Sequence, residues 1–248
     1  MKIVVILSML LLLNCLIPIA SSQDENLILL LSFDKVSGNK VIDESGNGND
    51  AEISGTFNQA QGQFGQAMSF DGTTNWLTIP SNDSLNPEQI TTVVWAKPDV
   101  IADCHRIFSK DDGAKRNYEM SFCGGTTEFA TWNRTGSRAI PDGPGIVENE
   151  WNHLAATFDG TAVKLYINGA VIKELPLDGE LQNTDVDLII GRFEEGRELY
   201  SGLLDELAIY NKALTEAEIN EIMITGTESN VEPKGKAATT WSNIKALY

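Results

Sequence analysis

Few residues in this chain of 248 are suited to catalysis. It holds three cysteines and two histidines, little for a zinc site that usually takes four nitrogen or sulfur ligands. No G-x-S-x-G elbow, H-E-x-x-H pair or Walker phosphate loop occurs. His153 lies in an alternating segment on the side opposite Leu154 and reads as a partly exposed structural histidine. The stretch Thr131-Trp132-Asn133-Arg134-Thr135-Gly136 is of another kind, polar and turn-rich around one large ring. Sugars stack on aromatic faces and bond to amide, carboxylate and guanidinium groups. Trp132, Asn133 and Arg134 therefore form the best ligand platform, with Arg192 and Tyr200 as lesser candidates on the same grounds. The competing reading is a tryptophan that only covers a sheet edge.

Cys104 and Cys123 read as a disulfide. Residues 106–110 and 118–122 look like two strands around the polar turn Asp111-Asp112-Gly113-Ala114-Lys115. Centring the hairpin between Gly113 and Ala114 pairs residue i with residue 227 − i, so that position 104 faces 123. Directly opposed Cβ atoms lie about 4.5–5.5 Å apart, near enough to adjust to a bridge. A reactive thiol pair would want C-x-x-C spacing, which is missing.

An oxidising destination is written at the N-terminus. Lys2, an apolar run from Ile3 to Leu13, Pro18 and then Ala20-Ser21-Ser22 follow the order of a secretory signal peptide over residues 1–22. The run is shorter than the ~20 apolar residues of a spanning helix. Asn14 is a poor residue before a lipidated Cys15. The mature chain is expected to be secreted, with no insertion into a membrane. Lys and Arg total 18 against 35 Asp and Glu, a net charge of −17. That balance excludes nucleic acid, whose phosphates need a basic surface, and disfavours anionic membranes.

The rest of the chain must position these residues, and it reads as all-β. Leu27 to Phe33 is a continuous apolar run, as in a buried strand. Residues 90–97 and 151–158 alternate, with Leu154, Ala156 and Phe158 inward. Asp159-Gly160 and Asn168-Gly169 sit between alternating runs as hairpin turns. About a dozen short antiparallel strands are expected. Thr215-Glu216-Ala217-Glu218 fits a capping box for one terminal helix over 216–223. After Gly226 the periodicity fades, so that 23–224 reads as the folded domain and 225–248 as an exposed tail.

Four segments, in this order and spacing, resemble the LamG-like jelly-roll domains of the concanavalin A-like lectin/glucanase superfamily. They are Ala67-Met68-Ser69-Phe70-Asp71-Gly72 with Leu77-Thr78-Ile79-Pro80; Val93-Val94-Trp95-Ala96-Lys97; Trp151-Asn152-His153-Leu154 through Gly160 with Leu165 to Gly169; and Ile190-Gly191 with Gly202-Leu203-Leu204-Asp205-Glu206-Leu207-Ala208-Ile209-Tyr210. The resemblance implies two antiparallel sheets stacked as a sandwich, with Trp95 and Trp151 in its core. Related glucanases carry Glu-x-Asp-x-Glu on one strand. Here Glu148-Asn149-Glu150 and Asp185-Val186-Asp187 lack the third carboxylate, and Glu194-Glu195-Gly196-Arg197-Glu198 contains a glycine turn. The expectation is a module that is not an enzyme, although carboxylates distant in sequence could still converge. Its partner is a glycan or, alternatively, an extracellular protein. Relatives often join first and last strands by a structural Ca²⁺. By motif the ligands would be Asp34 and Asp205, and the loop 43–50, with Asp43 and Asn47, could add backbone carbonyls. That loop is no EF-hand, because Ser54 stands where the bidentate Glu belongs.

Overall fold

The computed structural model describes residues 24–227 except 145, 194 and 195. The expected leader at 1–22 and positions 228–248 of the expected tail lie outside the described residues. In chain order the strands are β1 (Leu27–Leu31), β2 (Val36–Ser37), β3 (Lys40–Val41), β4 (Ala51–Ser54), β5 (Asn58–Gln61), β6 (Gln66–Asp71), β7 (Trp76–Ile79), β8 (Ile90–Pro98) and β9 (His105–Asp111). They continue as β10 (Arg116–Cys123), β11 (Thr126–Trp132), β12 (Arg138–Ala139), β13 (Asp142–Gly143), β14 (Asn152–Phe158), β15 (Ala162–Ile167), β16 (Ala170–Pro176), β17 (Leu188–Ile190) and β18 (Ser201–Tyr210). Helix α1 (Glu216–Thr225) follows.

Eight strands form one sheet in the order β16-β15-β14-β8-β18-β6-β5, with β1 also paired to β18. Ten form the other, β12-β11-β10-β9-β17-β7-β4-β3-β2, with β13 paired to β11. The two antiparallel sheets stack as the expected jelly-roll sandwich. Four strands, β2, β3, β12 and β13, are two residues long. A period-two pattern cannot register in so short a piece, which is why the sequence suggests only about a dozen strands.

Alternation explains the core. Leu154, Ala156 and Phe158 of β14 point between the sheets and meet Phe108, Met120 and Phe122 from the other side. The opposite side of the eight-stranded sheet is roofed by α1, where Leu214, Ile219 and Ile222 pack on Leu27, Leu30, Val93, Ala155 and Tyr210. The capping box forms as expected: Glu218 N–H donates to Thr215 Oγ1, and Thr215 N–H donates to Glu218 Oε2. The helix runs two residues beyond the expected Met223. Thr227, placed by sequence in the tail, is fully buried against Glu206.

Two local expectations need correction. Asn168-Gly169 has positive φ at both residues, as a two-residue hairpin requires, but Asp159 does not. There the carboxylate caps the turn instead, accepting from the Thr161 and Ala162 amides. His153 is buried rather than partly exposed, because Trp95, its partner across the ladder, lies 5.1 Å away ring to ring. Burial pushes its imidazole down to about 4. Trp151 is half-buried, not core.

The Cys104–Cys123 disulfide is present. The β9–β10 ladder begins and ends on the expected sum of 227, at Arg116↔Asp111 and Phe122↔His105, but runs at 228 between them. One bulge on β10 near Asn117 and another on β9 at Ile107 cancel, returning the register before the cysteines are reached. Closing this loop contributes about 3 kcal/mol in the chain-entropy model. A domain of this size shifts by about 2–4 °C per kcal/mol. A reductant is therefore expected to lower the thermal midpoint by roughly 6–12 °C. Native protein that titrates two free thiols before reduction would contradict the bridge.

Candidate functional site

The outer side of the eight-stranded sheet is roofed by α1, and the outer side of the ten-stranded sheet is largely closed too, with Ser109, Asp111, Glu119, Ser121, Ala130, Trp132 and Ile189 of it buried. Strand registers lay Glu52, Thr78, Ile189, Ser109, Glu119 and Ala130 side by side across six strands. Their sequence neighbours Leu77, Leu188, Phe108, Met120 and Phe129 fill the core, so alternation turns this row outward. A second row carries Arg106, Ser121 and Glu128. A third carries Asp111 and Arg116, whose guanidinium lies 5.4 Å from the Trp132 ring centre.

The charges on this face are paired. Arg106 Nη1 is 3.0 Å from Glu119 Oε1, and its Nε is 2.9 Å from Glu198 Oε2, a pair close in distance but not aligned as a hydrogen bond. Burial pushes the Glu119 carboxyl up to about 7, with Arg106 opposing the shift. Burial also raises Glu128 and Asp111. An arch whose described residues are 192, 193 and 196–198 crosses this centre: Phe193 N–H donates to Arg197 C=O, and Arg106 N–H donates to Glu198 C=O. The Arg106 and Arg197 guanidinium groups each lie 5.4 Å from the Phe193 ring centre. At the rim, Arg192 stacks 3.7 Å from the centre of the half-buried Trp76 ring. Beneath the arch, Ser109 Oγ and Glu119 Oε2 are buried with no hydrogen-bond partner among the described residues.

All six arginines of the chain, Arg106, Arg116, Arg134, Arg138, Arg192 and Arg197, belong to this sheet or to loops that leave it. In a protein of net charge −17 that concentration is not a matter of overall composition. The Arg106–Glu119 centre is absent from the reading of the sequence. The signal for it lay in the hairpin register, which sets Arg106 opposite Ser121, two residues along from Glu119.

The sequence-predicted ligand residues are only partly brought together. Trp132 and Arg192 share this face. Trp132 is only 6% exposed, so its ring is closed in, with Arg116 over it. Asn133 is buried, its amide donating to Asp178 C=O and its Oδ1 accepting from Thr135 and Ser137, which closes a turn. Arg134 pairs with Glu180. Consecutive strand residues point to opposite sides, so these three cannot act as one platform. Tyr200 lies wholly in the inter-sheet core, 5.9 Å from Phe70, with its O–H donated to Leu203 C=O.

The calcium set divides in the same way. Asp43 accepts from the Leu30, Ser45 and Asn49 amides and from Ser45 Oγ, so its carboxylate is saturated. Asn47 donates to Leu27 C=O and Ser45 Oγ. These two side chains pin the loop to β1 and are committed to protein partners. Asp34 and Asp205 instead both face the turn 62–66, with Asp34 accepting from Gln66 N–H and Asp205 from Phe64 N–H. A Cβ at Gly62 would collide with the Asp205 carboxylate, and one at Gly65 with that of Asp34. Asp205 Oδ1 is buried without a partner. Among the described residues no three His, Cys, Asp or Glu side chains gather as a metal group.

The family described as the concanavalin A-like lectin/glucanases superfamily matches residues 71–220. No curated protein matches the chain. Among solved structures, Domain 4 of AbnA, a GH43 extracellular arabinanase from Geobacillus stearothermophilus, in complex with arabinotriose, is 26% identical. The match covers 79% of this chain and 98% of that domain, with a TM-score of 0.64. The binding domain of Paraclostridial Mosquitocidal Protein 1 is 20% identical, over 79% of this chain and 51% of that one, with a TM-score of 0.66. The receptor binding domain of botulinum neurotoxin mosaic serotype C/D is 16% identical, over 83% and 52%, with a TM-score of 0.68. The chain spans about half the length of these two toxin domains, and at such identities the likeness is one of fold.

The buried glutamate yields a pH dependence. Because the folded-state value of about 7 lies above that of a free Glu, the group adds stability at low pH that is lost as pH rises through about 7. Wild type should therefore weaken relative to Glu119→Gln by at most about 1.4 kcal/mol per pH unit between roughly pH 4.5 and 7. Urea unfolding of both proteins across that range measures it; parallel stability curves would rule out the raised carboxyl.

Proposed function

Because the chain belongs to the concanavalin A-like lectin/glucanases superfamily, whose fold does not by itself name a ligand, we propose that it is an exported, non-catalytic module that holds a saccharide on the outer face of its ten-stranded sheet. The observation that carries this reading is the gathering of Arg106, Arg116, Arg192 and Arg197 at that one face, with Arg192 stacked on Trp76 at its rim. Rings offer stacking surfaces and guanidinium groups offer planar donors. The arabinotriose bound by the arabinanase domain supports a saccharide as ligand. The pairing of Glu119 with Arg106 supports reading it as a group that holds the face together.

A glycan array probed with residues 23–248 tests this. Binding is expected to plant or microbial oligosaccharides and to fall at least about tenfold, the equivalent of one or two lost hydrogen bonds, in Trp76→Ala and Arg192→Ala. Silence across the array would defeat it. A second reading, a protein-binding module, is favoured by the outermost strand β16, where Val171 and Ile172 are 41% and 37% exposed on an unpaired edge. Under that reading the array stays silent and charges placed at Val171 abolish capture of an extracellular protein.

We also propose a structural Ca²⁺ held by Asp34, Asp205 and backbone carbonyls of the turn 62–66. The partnerless Asp205 Oδ1 is the atom that suits an oxygen-seeking ion. The ion would tie that turn to β18, and Asp43 and Asn47 take no part. Millimolar CaCl₂ against EDTA should raise the melting midpoint by about 5–10 °C if the site is near saturation. The rise should vanish in Asp205→Asn; equal midpoints with CaCl₂ and EDTA in wild type would remove the ion.

A further inference from the structure

Outside that face a large polar cleft lies between the segments 81–86 and 182–185. Its volume is about 910 Å³, within the range of small-molecule sites. The walls are tied together from below. Lys110, fully buried, donates through Nζ to the Thr184 and Val186 carbonyls and to Ser81 Oγ. Asn86 satisfies both backbone groups of Thr184, donating to its C=O at 3.0 Å and accepting from its N–H at 3.1 Å. Asp187 accepts from Ser81 N–H. A site fixed in this way loses little freedom when it takes a ligand.

The lining selects the chemistry. Carboxamides dominate it, from Asn82, Asn86, Gln182 and Asn183. The Gln182 and Asn183 amides make no side-chain hydrogen bond to the described residues, and Thr184 Oγ1 is buried without a partner. A carboxamide donates and accepts, as a sugar hydroxyl does. No aromatic ring lines the cleft, so a flat apolar ligand finds no wall. Lys115 and Asp185 pair in the lining, which also holds Asp83, and Lys110 lies buried beneath it, so charge is nearly balanced. An anion would meet two carboxylates.

We propose that this cleft is a second binding site, separate from the sheet face, and that it takes an uncharged polyhydroxylated ligand such as the end of a neutral oligosaccharide. The segment 182–185 also abuts the strand that ends at Trp132, because Gln182 N–H donates to Trp132 C=O at 3.0 Å. Hence a chain lying on the face and a chain end seated in the cleft could be held by one module, with the gain in avidity that two linked sites give.

Amide NMR on the mature chain, titrated with arabinotriose, xylotriose and maltotriose and with trigalacturonic acid as the anionic control, tests the site. At least one neutral trisaccharide is expected to shift the Asn183, Thr184 and Lys115 amides, and trigalacturonic acid to shift them less. In the double variant Gln182→Ala/Asn183→Ala, which leaves the Lys110 and Asn86 scaffold intact, that affinity should drop about tenfold or more, with an unchanged melting midpoint confirming the fold. Trp76→Ala should leave the cleft shifts as they were. Shifts lost in Trp76→Ala but kept in the double variant would overturn the second site while sparing the face. Shifts confined to the cleft would overturn the face while sparing this proposal. No shift at the cleft with any neutral trisaccharide, or a stronger response to trigalacturonic acid, would end it.

Discussion

The structure depends on one strand arriving late and pairing three times. β18 lies between β8 on one edge and both β6 and β1 on the other. β6 pairs with residues 201–204 and β1 with 207–210, and the ladder to β8 slips between Asp205 and Ala208. Glu206 there has a φ of 51°, a left-handed backbone that a non-glycine residue adopts only under constraint. The bulge turns two acids out of the ladder. Asp205 takes the Phe64 amide, and Glu206 takes the amide and hydroxyl of Thr227. One irregularity thus lets a single strand serve two partners on one edge, and its side chains anchor both the turn 62–66 and the end of α1. Most of the sheet must await this long-range pairing, which makes folding slow by the logic of loop closure.

That arrangement also decides which surface is left for recognition. α1 can seat only where β18, β1 and β8 present Tyr210, Leu27, Leu30 and Val93, so it closes the outer side of the eight-stranded sheet. Among the described residues the ten-stranded sheet has no such helix over it and carries instead a narrow arch, described at 192, 193 and 196–198, above paired charges. Chain connectivity places the arch there: it is the link from β17 in one sheet to β18 in the other, and it must cross the sandwich end.

What the sequence made legible was local. The cap of α1, the Asn168-Gly169 turn and the apolar run of β1 each depend on residues adjacent to one another, and each forms. The disulfide was reachable because two opposed bulges leave the end register of the hairpin unchanged; a single bulge would have moved Cys104 off Cys123. The site was harder. Trp132 looked exposed because polar residues surround it in sequence, yet Arg116 from the neighbouring strand closes over it. Asp43 and Asn47 looked like part of a calcium loop because an Asn/Gly/Asp-rich stretch suits the ion, yet Asp43 accepts from the Leu30 amide of β1 and Asn47 donates to the Leu27 carbonyl. Arg106 and Glu119 meet only once β9 and β10 pair, and Glu198 joins them from 79 positions further on (198 − 119).

The six arginines carry a further consequence. A lysine on this face would keep its hydration and titrate toward neutrality when buried, as Lys110 does, pushed down to about 8. Guanidinium is less strongly hydrated, stays charged and lies flat on a ring. It can therefore sit against Trp76, Phe193 and Trp132 while still answering Glu119, Glu198 and Asp111. The face becomes nearly neutral within a molecule of charge −17. The rest of the surface carries the acidic excess, which favours solubility. Charge on this protein is arranged to clear one surface rather than to attract through it.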